Sequence, residues 1–350
     1  MKKRNKIILV ACIAVATVAL ICFLAVYFVF LHRYHGKEIE APWQAEDPFS
    51  LSNIATLEKQ PGQPFVILNL ADVQLCDLED LFHMGETRQK IAGLIEKTHP
   101  DLITLTGDQT WSNENLISLL SLVSWLDSFQ IPYAPVFGNH DFGNDKNSAV
   151  LDCAACCDVY EKGKFSLFKR GPSNLGSLGN YVVNVTEEGK IVKTLYFLDS
   201  GYEDCITDAQ IAWVQWNANG IRAANGGAYA EAACFFHLPL PEYAEAYRQY
   251  RTGEGNVEAV GEVYVTYSLA GSSQNGFFAA AKSVGVSDMV CGHQHGNLFT
   301  LQYDGVRLTF ALKTGKLGGY YAGEDVTLDG ATCLILDGGK TTVFPVFSDP

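Results

Sequence analysis

Hydrophobic residues occur in one long run near the N-terminus and in a series of short runs from residue 65 onward. The long run, Ile7–Leu31, contains 25 residues without a charge, a proline or a glycine. About 20 apolar residues suffice to span a bilayer as a helix, whereas a secretory signal peptide has a shorter apolar region of about 7–15 residues. We therefore predict a transmembrane signal anchor over residues 7–31, with a cleaved signal peptide as the alternative.

The charges on either side of this run predict its orientation. Four basic residues precede the run and two follow it closely: Lys2, Lys3, Arg4 and Lys6, then Arg33 and Lys37. Because basic flanks are retained in the cytoplasm, residues 1–6 are predicted to be a cytoplasmic basic tip. The remainder of the chain is then predicted to be extracytoplasmic, as in a single-pass membrane protein.

The short runs alternate between strand and helix periods. The first four are residues 65–70 (strand), 86–97 (helix), 102–106 (strand) and 115–128 (helix). Such alternation is typical of α/β domains, and the part of the chain after residue 298 is predicted to consist of strands. We therefore expect one α/β domain over residues 64–350. The preceding residues 32–63 hold several prolines and are predicted to be an extended juxtamembrane linker.

The amino-acid composition argues against a disordered chain and against a nucleic-acid-binding protein. Hydrophobic residues make up 48% of the 350 residues and charged residues only 18%, whereas disordered chains are poor in apolar residues and dense in charge. The net charge is −14, and without the four basic residues before the apolar run it is −18. A nucleic-acid-binding protein needs a basic surface to neutralise phosphates, so no stable nucleic-acid partner is expected.

The ten cysteines give little indication of function. Cys234 and Cys291 fall in strand-like runs and are expected to be buried thiols. Three cysteines cluster at residues 153–157, but no second Cys/His pair follows at the spacing of a zinc ribbon. We interpret the cluster as part of a disulfide or a loop rather than as a metal knuckle.

Residues that can bind metal ions follow five of the short apolar runs. They are Asp72, Gly107-Asp108, Gly138-Asn139-His140-Asp141, His237 and Gly292-His293-Gln294-His295. Each motif alone has an ordinary interpretation, as a turn, an Asx loop or a hydrogen-bonded core histidine. Ligands of open α/β sheets bind beyond the carboxyl ends of the strands, so five such ends in one chain predict a shared metal site. Carboxylate and imidazole ligands suit Zn, Mn or Fe.

This series, with Gln74 two residues after Asp72, resembles the motifs of the calcineurin-like metallophosphoesterases, and most closely those of their purple-acid-phosphatase-related branch. Residues 236–243 resemble the histidine motif of that branch, and Lys313-Thr314-Gly315 with Gly318-Gly319-Tyr320 resembles a segment near its C-terminus. The resemblance covers nearly the whole predicted domain. It implies a four-layer α/β/β/α sandwich with two divalent metal ions at one edge.

The resemblance also implies a role for each site residue. The first metal would be bound by Asp72 and His295, the second by Asn139, His237 and His293, and both by Asp108. His140 would face the substrate phosphate instead of a metal. Asp141 is expected to orient the His140 ring.

Two positions depart from the family pattern. Most members have histidine where this chain has Gln74, whose carboxamide oxygen either binds the first metal more weakly or holds a water. Purple acid phosphatases have an iron-binding tyrosine three residues after the bridging aspartate, and this chain has Trp111 there. Because an indole does not bind iron, we expect no ferric charge-transfer colour.

The implied activity is hydrolysis of phosphate esters by a metal-bound hydroxide. Two metal ions about 3.5–4 Å apart polarise a phosphate and lower the pKa of the water between them, while His140 stabilises charge and protonates the departing alkoxide. We expect a phosphomonoesterase. The alternatives are a phosphodiesterase acting on nucleotides or lipid head groups, and a degenerate metal-dependent binding protein.

Overall fold

The strands of the chain form two β-sheets. The computed structural model describes residues 2–34, 42–75, 77–111, 115–142, 151–201, 206–266, 269, 276–315 and 329–348. Its strands are β1 (Ala55–Glu58), β2 (Phe65–Leu70), β3 (Leu102–Thr106), β4 (Tyr133–Val136), β5 (Tyr181–Glu187), β6 (Lys190–Phe197), β7 (Glu231–Phe235), β8 (Glu258–Ala259), β9 (Tyr264–Val265), β10 (Val286–Cys291), β11 (Asn297–Tyr303), β12 (Val306–Phe310), β13 (Gly330–Asp337) and β14 (Lys340–Phe347).

Parallel strands at the centre of each sheet position the site. Among the described residues, one sheet has the order β14-β13-β2-β3-β4, and the other has the order β1-β5-β6-β7-β10-β12-β11-β8, with β9 paired to β11. Strands β2, β3 and β4 are parallel, and so are β6, β7, β10 and β12. Because parallel strands end at the same edge, the carboxyl ends within each set lie together.

Helices cover the outer face of each sheet. They are α2 (Asp77–Thr98), α3 (Asn115–Ser128), α4 (Cys153–Glu161), α5 (Asp208–Ala224), α6 (Pro241–Thr252) and α7 (Phe277–Ser283). The N-terminal helix α1 (Lys2–Tyr34) belongs to a separate unit of the chain. Helix α2 packs on β2 and β13 and contacts α3, which contacts α4. Side chains of α5, α6 and α7 share an apolar core with strands of the larger sheet. The expected α/β/β/α layering is therefore confirmed.

Side chains that alternate along β6 separate two hydrophobic cores, as the period of a strand requires. Tyr196 lies in the core beneath α5, α6 and α7. The next residue, Phe197, stacks instead on Tyr181 and Phe235, with ring centroids 4.8 and 5.1 Å away. The Tyr181 hydroxyl donates a 2.7 Å hydrogen bond to the carbonyl of Pro135 in the other sheet. The second core thus lies between the sheets.

The segment predicted as a linker differs from that expectation. Residues 35–41 lie outside the described part of the chain, but Ala55–Glu58 forms β1 and pairs in parallel with β5. The ring of Phe49 packs edge-on against Trp216, with centroids 5.4 Å apart, and a Cβ at Gly220 would lie 2.2 Å from it. The folded body therefore begins before residue 64, because these few aromatic contacts and one strand pairing attach the segment to it.

The N-terminal helix α1 includes the predicted anchor. Its apolar part, Ile8–Ala25, is long and apolar enough to cross a membrane and has no buried residue. The chain divides into two units, Met1–Glu38 and Ile39–Pro350. The first unit holds only α1 among its described elements, and all the strands belong to the second.

The clustered cysteines lie in a helix rather than in a loop. The side chain of Asp152 accepts a hydrogen bond from the backbone N–H of Ala155 and caps α4, so the cluster forms its first turns. Cys156 and Cys157 are buried free thiols, as are Cys234 and Cys291. The groups of potential metal ligands in the described chain include none of them, and the prediction of a disulfide or loop at residues 153–157 is wrong.

Candidate metal centre

Each predicted motif lies directly beyond the end of a strand. Strands β2, β3 and β4 of the smaller sheet lead to Asp72, Asp108 and Asn139, and strands β7 and β10 of the larger sheet lead to His237 and His293. The two sheets thus supply ligands to one place from both sides. The described residues contain two groups whose donor atoms all lie within 4.8 Å of one another, Asp72–Asp108–His295 and Asp108–His237–His293. Asp108 belongs to both groups. A carboxylate shared in this way is typical of sites for two metal ions.

Two neutral amides extend the groups. Asn139 Oδ1 lies 3.0 Å from His237 Nε2, and Gln74 Nε2 lies 3.1 Å from His295 Nε2. Gln74 is fully buried, and its Oε1 has no hydrogen-bond partner among the described residues. The oxygen and nitrogen of an amide exchange places when the amide is flipped. A flipped Gln74 would therefore place its oxygen, instead of its nitrogen, beside His295 Nε2.

The separations between donor atoms fit metal coordination. Neighbouring donors lie 3.2 Å apart at His295 Nε2 and Asp72 Oδ1, 3.3 Å at His293 Nδ1 and His237 Nε2, and 3.4 Å at His237 Nε2 and Asp108 Oδ2. Ligands bound at about 2.1 Å, at angles between octahedral and tetrahedral, are about 3.0–3.4 Å from one another. The donor atoms are therefore separated as ligands bound to the same metal ion would be.

Glycines provide room for this crowding. A Cβ at Gly107 would lie 2.3 Å from His237 Nδ1, and one at Gly138 would lie 2.2 Å from Asp108 Oδ1. A Cβ at Gly292 would lie 2.7 Å from Asp72 Oδ2. Each glycine therefore permits a ligand from another strand to approach the backbone.

The backbone of the site is strained. Four of its non-glycine residues have positive φ angles: 52° at Asp72, 50° at Gln74, 52° at Asp108 and 79° at His293. Such conformations cost on the order of 1–3 kcal/mol each and persist where the surroundings fix them, often at functional sites. Here the loops after β2 and β3 fix each other, because the N–H of Gln74 donates to the carbonyl of Asp108 at 2.9 Å.

The charges of the centre are strongly coupled. Burial opposes ionisation of Asp108, but the neighbouring His237 outweighs burial and holds the pKa of Asp108 well below its ordinary value. Burial also opposes ionisation of Asp72, but the neighbouring His295 outweighs it and the pKa of Asp72 is lowered. Burial also disfavours charge on His237, but the carboxylates, Asp108 foremost, raise its pKa to about 10. Burial and the charge on His237 lower the pKa of His293 to about 4. A divalent cation would replace the proton that the carboxylates hold on His237.

The sequence comparison agrees with this geometry. The model of the calcineurin-like phosphoesterase family matches residues 65–297, which span all of the ligand-bearing strands. The chain belongs to the calcineurin-like phosphoesterase family. It is thereby classed with the phosphoric ester hydrolases, and the predicted superfamily is confirmed.

Two named proteins are similar to this chain. Phosphatase DCR2 of Saccharomyces cerevisiae is 27% identical over 74% of this chain and 46% of its own length. The probable inactive purple acid phosphatase 28 of Arabidopsis thaliana is 25% identical over 51% of each chain. The chain thus spans about half the length of the curated relatives it matches. Among solved structures, GAP50, the anchor in the inner membrane complex of Plasmodium, aligns with a TM-score of 0.48 and 11% identity, over 82% of this chain and 85% of that one.

His140 lies at the more exposed side of the candidate metal centre. Its side chain is 29% exposed, whereas that of Asp108 is 2% exposed. Its backbone N–H donates to Asp108 Oδ1 at 2.9 Å, while its ring Nε2 is 4.0 Å from Asp108 Oδ2. Burial lowers the pKa of His140. The ring therefore stands beside the donor groups rather than among them.

The carboxylate of Asp141 binds backbone groups, whereas the sequence suggested that it orients the His140 ring. Its carboxylate accepts hydrogen bonds from the backbone N–H groups of Thr110 and Gly138, at 2.9 and 2.8 Å. Burial, reinforced by Asp108, raises the pKa of Asp141 to about 7. Asp141 thus ties the loop after β4 to the loop after β3, and this contact replaces the expected one with the His140 ring.

The sequence did not reveal the residues that hold His237 in place by hydrogen bonds that involve the backbone. His237 Nδ1 lies 2.9 Å from the carbonyl oxygen of Thr106, so Nε2 is the nitrogen free to bind a metal. The hydroxyl of Ser200 accepts hydrogen bonds from the N–H groups of His237 and Leu238, at 3.2 and 2.9 Å. Backbone carbonyls and single serines carry no distinctive sequence signal, so these contacts require the coordinates.

The segment beginning at Lys313 supports the loop of the first ligand. The backbone N–H of Thr314 donates to the carbonyl of Ala71 at 2.8 Å, and that of Gly315 to the carbonyl of Asp72 at 3.2 Å. A Cβ at Gly315 would lie 1.9 Å from the carbonyl oxygen of Val73. The remainder of the motif predicted here, Gly318-Gly319-Tyr320, lies outside the described residues.

Proposed function

We propose that this phosphoesterase hydrolyses phosphate monoesters at a centre of two divalent cations. The observation that carries the proposal is the pair of donor groups that share Asp108. A bridging carboxylate with separate imidazole ligands on either side is suited to two ions close together. The name of the yeast relative, a phosphatase, supports the monoester class.

The residues present fit this cofactor. The first ion would be held by Asp72, His295 and Asp108, with the orphaned carboxamide oxygen of Gln74 as a further, weaker donor. The second would be held by Asp108, Asn139, His237 and His293. Mixed oxygen and imidazole donors favour Zn, Mn or Fe. When bound, the cations supply Lewis-acid polarisation of the phosphate and an activated water.

The chain's own residues do the rest. Thr106 holds His237 in one tautomer and orientation, an arrangement that strengthens metal ligands. Asp141 keeps the Gly138–Asp141 loop in place. His140, on the open side, is positioned to bind the phosphate and to deliver a proton to the departing alkoxide. The network therefore divides into ligands that are buried or partly buried and one acid–base group that is 29% exposed.

The placement of this activity relative to a membrane is also proposed. Residues 7–31 would anchor the protein, residues 1–6 would remain in the cytoplasm, and the phosphoesterase domain would act outside it. The unequal numbers of basic residues at the two ends of α1 support this orientation.

Assays of a monoester and a diester test the proposal. The full chain, purified in detergent and loaded with Zn or Mn, should hydrolyse 4-nitrophenyl phosphate faster than bis(4-nitrophenyl) phosphate, which has the same leaving group. Asp108→Asn is the control that shows which hydrolysis arises from this centre. A preference for the diester would replace the monoesterase with a phosphodiesterase. Metal binding without hydrolysis of either would favour a binding protein, against which the nearly complete donor set argues.

A further inference from the structure

Among the described residues of the site, Trp111 and His140 form the closest ring pair. Their centroids are 4.0 Å apart and their planes are inclined by 39°. The backbone N–H of Trp111 donates to the carbonyl of Leu75 at 2.8 Å, and Leu75 forms a parallel bridge with Thr110. The indole is therefore carried by a loop that two neighbouring strand ends hold together.

The orientation of the His140 ring is not fixed by a hydrogen bond to Asp108. The His140 backbone is anchored by the hydrogen bond to Asp108 Oδ1, but the 4.0 Å from Nε2 to Asp108 Oδ2 is too long for a hydrogen bond. A side chain that is 29% exposed and has a fixed backbone still has several staggered rotamers. At a centroid separation of 4.0 Å, the indole packs directly against the imidazole ring.

We propose that Trp111 is a positioning residue for His140. By packing against the imidazole, it holds the ring where its nitrogen reaches the leaving-group oxygen of a phosphate ester. The inference rests on the proposed function, since it assigns a partner to the group that protonates the leaving group. Misplacement of such a group by about 1 Å costs on the order of 10²-fold in rate.

Leaving groups of different basicity reveal this role. Phenolate, whose conjugate acid has a pKa of about 10 as in tyrosine, needs a proton as it departs. The more acidic 4-nitrophenol leaves readily as its anion. Loss of ring positioning should therefore slow phenyl phosphate hydrolysis and largely spare 4-nitrophenyl phosphate, whereas a general loosening of the fold would slow both.

The experiment compares Trp111→Ala and Trp111→Phe in the metal-loaded full chain. We expect Trp111→Ala to lower kcat for phenyl phosphate by about 10–100-fold and kcat for 4-nitrophenyl phosphate by less than about threefold, within the range of acid–base assistance. Trp111→Phe, which keeps a flat ring, should restore most of the rate. In a His140→Ala background, Trp111→Ala should have no further effect, because residues that act as a unit are not additive.

Other outcomes would overturn the inference. Equal loss on both substrates, additive loss in the His140→Ala background or loss of metal would give Trp111 a structural role. An increase in KM for both aryl esters, with kcat unchanged, would make Trp111 a substrate-binding wall instead.

A readout without catalysis separates this inference from the proposed function. The ring-proton NMR signals of His140, assigned by their absence in His140→Asn, lie in the ring-current field of the indole. They should shift in Trp111→Ala and shift less in Trp111→Phe. Unmoved signals would refute the contact. If the wild-type chain hydrolysed neither ester, the proposed function would fail, and the NMR shifts would still decide the positioning of His140.

Discussion

Gln74 and His295 approach each other to 3.1 Å, from the amide nitrogen to the imidazole Nε2, beside the first group of potential metal ligands. The other amide atom of Gln74 lacks a hydrogen-bond partner in the described chain. A buried polar atom without a partner is costly, so this one indicates a missing ligand. A flip would bring the amide oxygen beside His295, where it could bind a cation.

Substitutions of Gln74 should therefore change the affinity for the first metal in opposite directions. Gln74→His should tighten it, since imidazole is the better donor for Zn, Mn or Fe. Gln74→Ala should weaken it by about tenfold, the lower end of the effect of supporting residues, because Asp72, Asp108 and His295 remain. Metal titration of the purified variants measures both. Asp108→Ala is the benchmark, and if Gln74→Ala lost metal as completely, Gln74 would be an essential ligand.

His140→Ala should keep both metals and lower kcat by roughly 10²–10⁴-fold, the usual scale of acid–base assistance. The reason is that the ring stands on the open side of the centre and lies outside the two donor groups. Elemental analysis and steady-state kinetics of the same preparation test this. Stoichiometric loss of a metal from the variant would show that His140 is a ligand.

Gly107→Ala should disrupt the second metal site chiefly by steric overlap with His237, in addition to the backbone strain of its positive φ. The new Cβ would lie 2.3 Å from His237 Nδ1, and overpacking of this kind costs about 1–3 kcal/mol. Gly62→Ala is a matched control, because Gly62 also has a positive φ, 70° against 82°, but has no atom within 4 Å of its would-be Cβ. Gly62→Ala should cost only the strain of its backbone, about 1–2 kcal/mol, and leave metal affinity unchanged. Equal metal binding by both variants would contradict the crowding described here.

Metal affinity should rise with pH. The pKa of His237 is raised to about 10 by the carboxylates, Asp108 foremost, against the effect of burial, so the ring is protonated below that pH and must lose a proton to bind a cation. The pKa values of Asp72 and Asp108 are lowered, and that of His293 is lowered to about 4, so these groups have already lost their protons near neutrality. Apparent affinity should then increase by up to about tenfold per pH unit between about pH 6 and 8, with proton release. Calorimetry in buffers of different ionisation enthalpy measures the release, and no proton release would refute the coupling.

Much of the fold and the placement of the site could be predicted from the sequence, because short apolar runs mark buried strands and the chain places metal-capable residues just after them. Asp72, Asp108 and His237 are of this kind. The role of Asp141 could not be predicted, since neighbours such as His140 and Asp141 in a loop point in directions that only tertiary hydrogen bonds decide. Strand β1 was missed because its four residues carry no apolar run and are defined only by pairing with β5.

Trp111 illustrates a different limit. Its position three residues after Asp108 showed that no tyrosine ligand is present, but nothing in the sequence indicated that its ring would cover His140. Contacts between two loops from different strands depend on the register of the sheet and on the turn geometry, which the sequence pattern does not specify.

The most direct test of the account is elemental analysis of the purified, active full-length chain. Two donor groups that share Asp108 predict about two divalent ions per chain, and fewer in Asp108→Ala. Active protein that contained no metal would contradict the account.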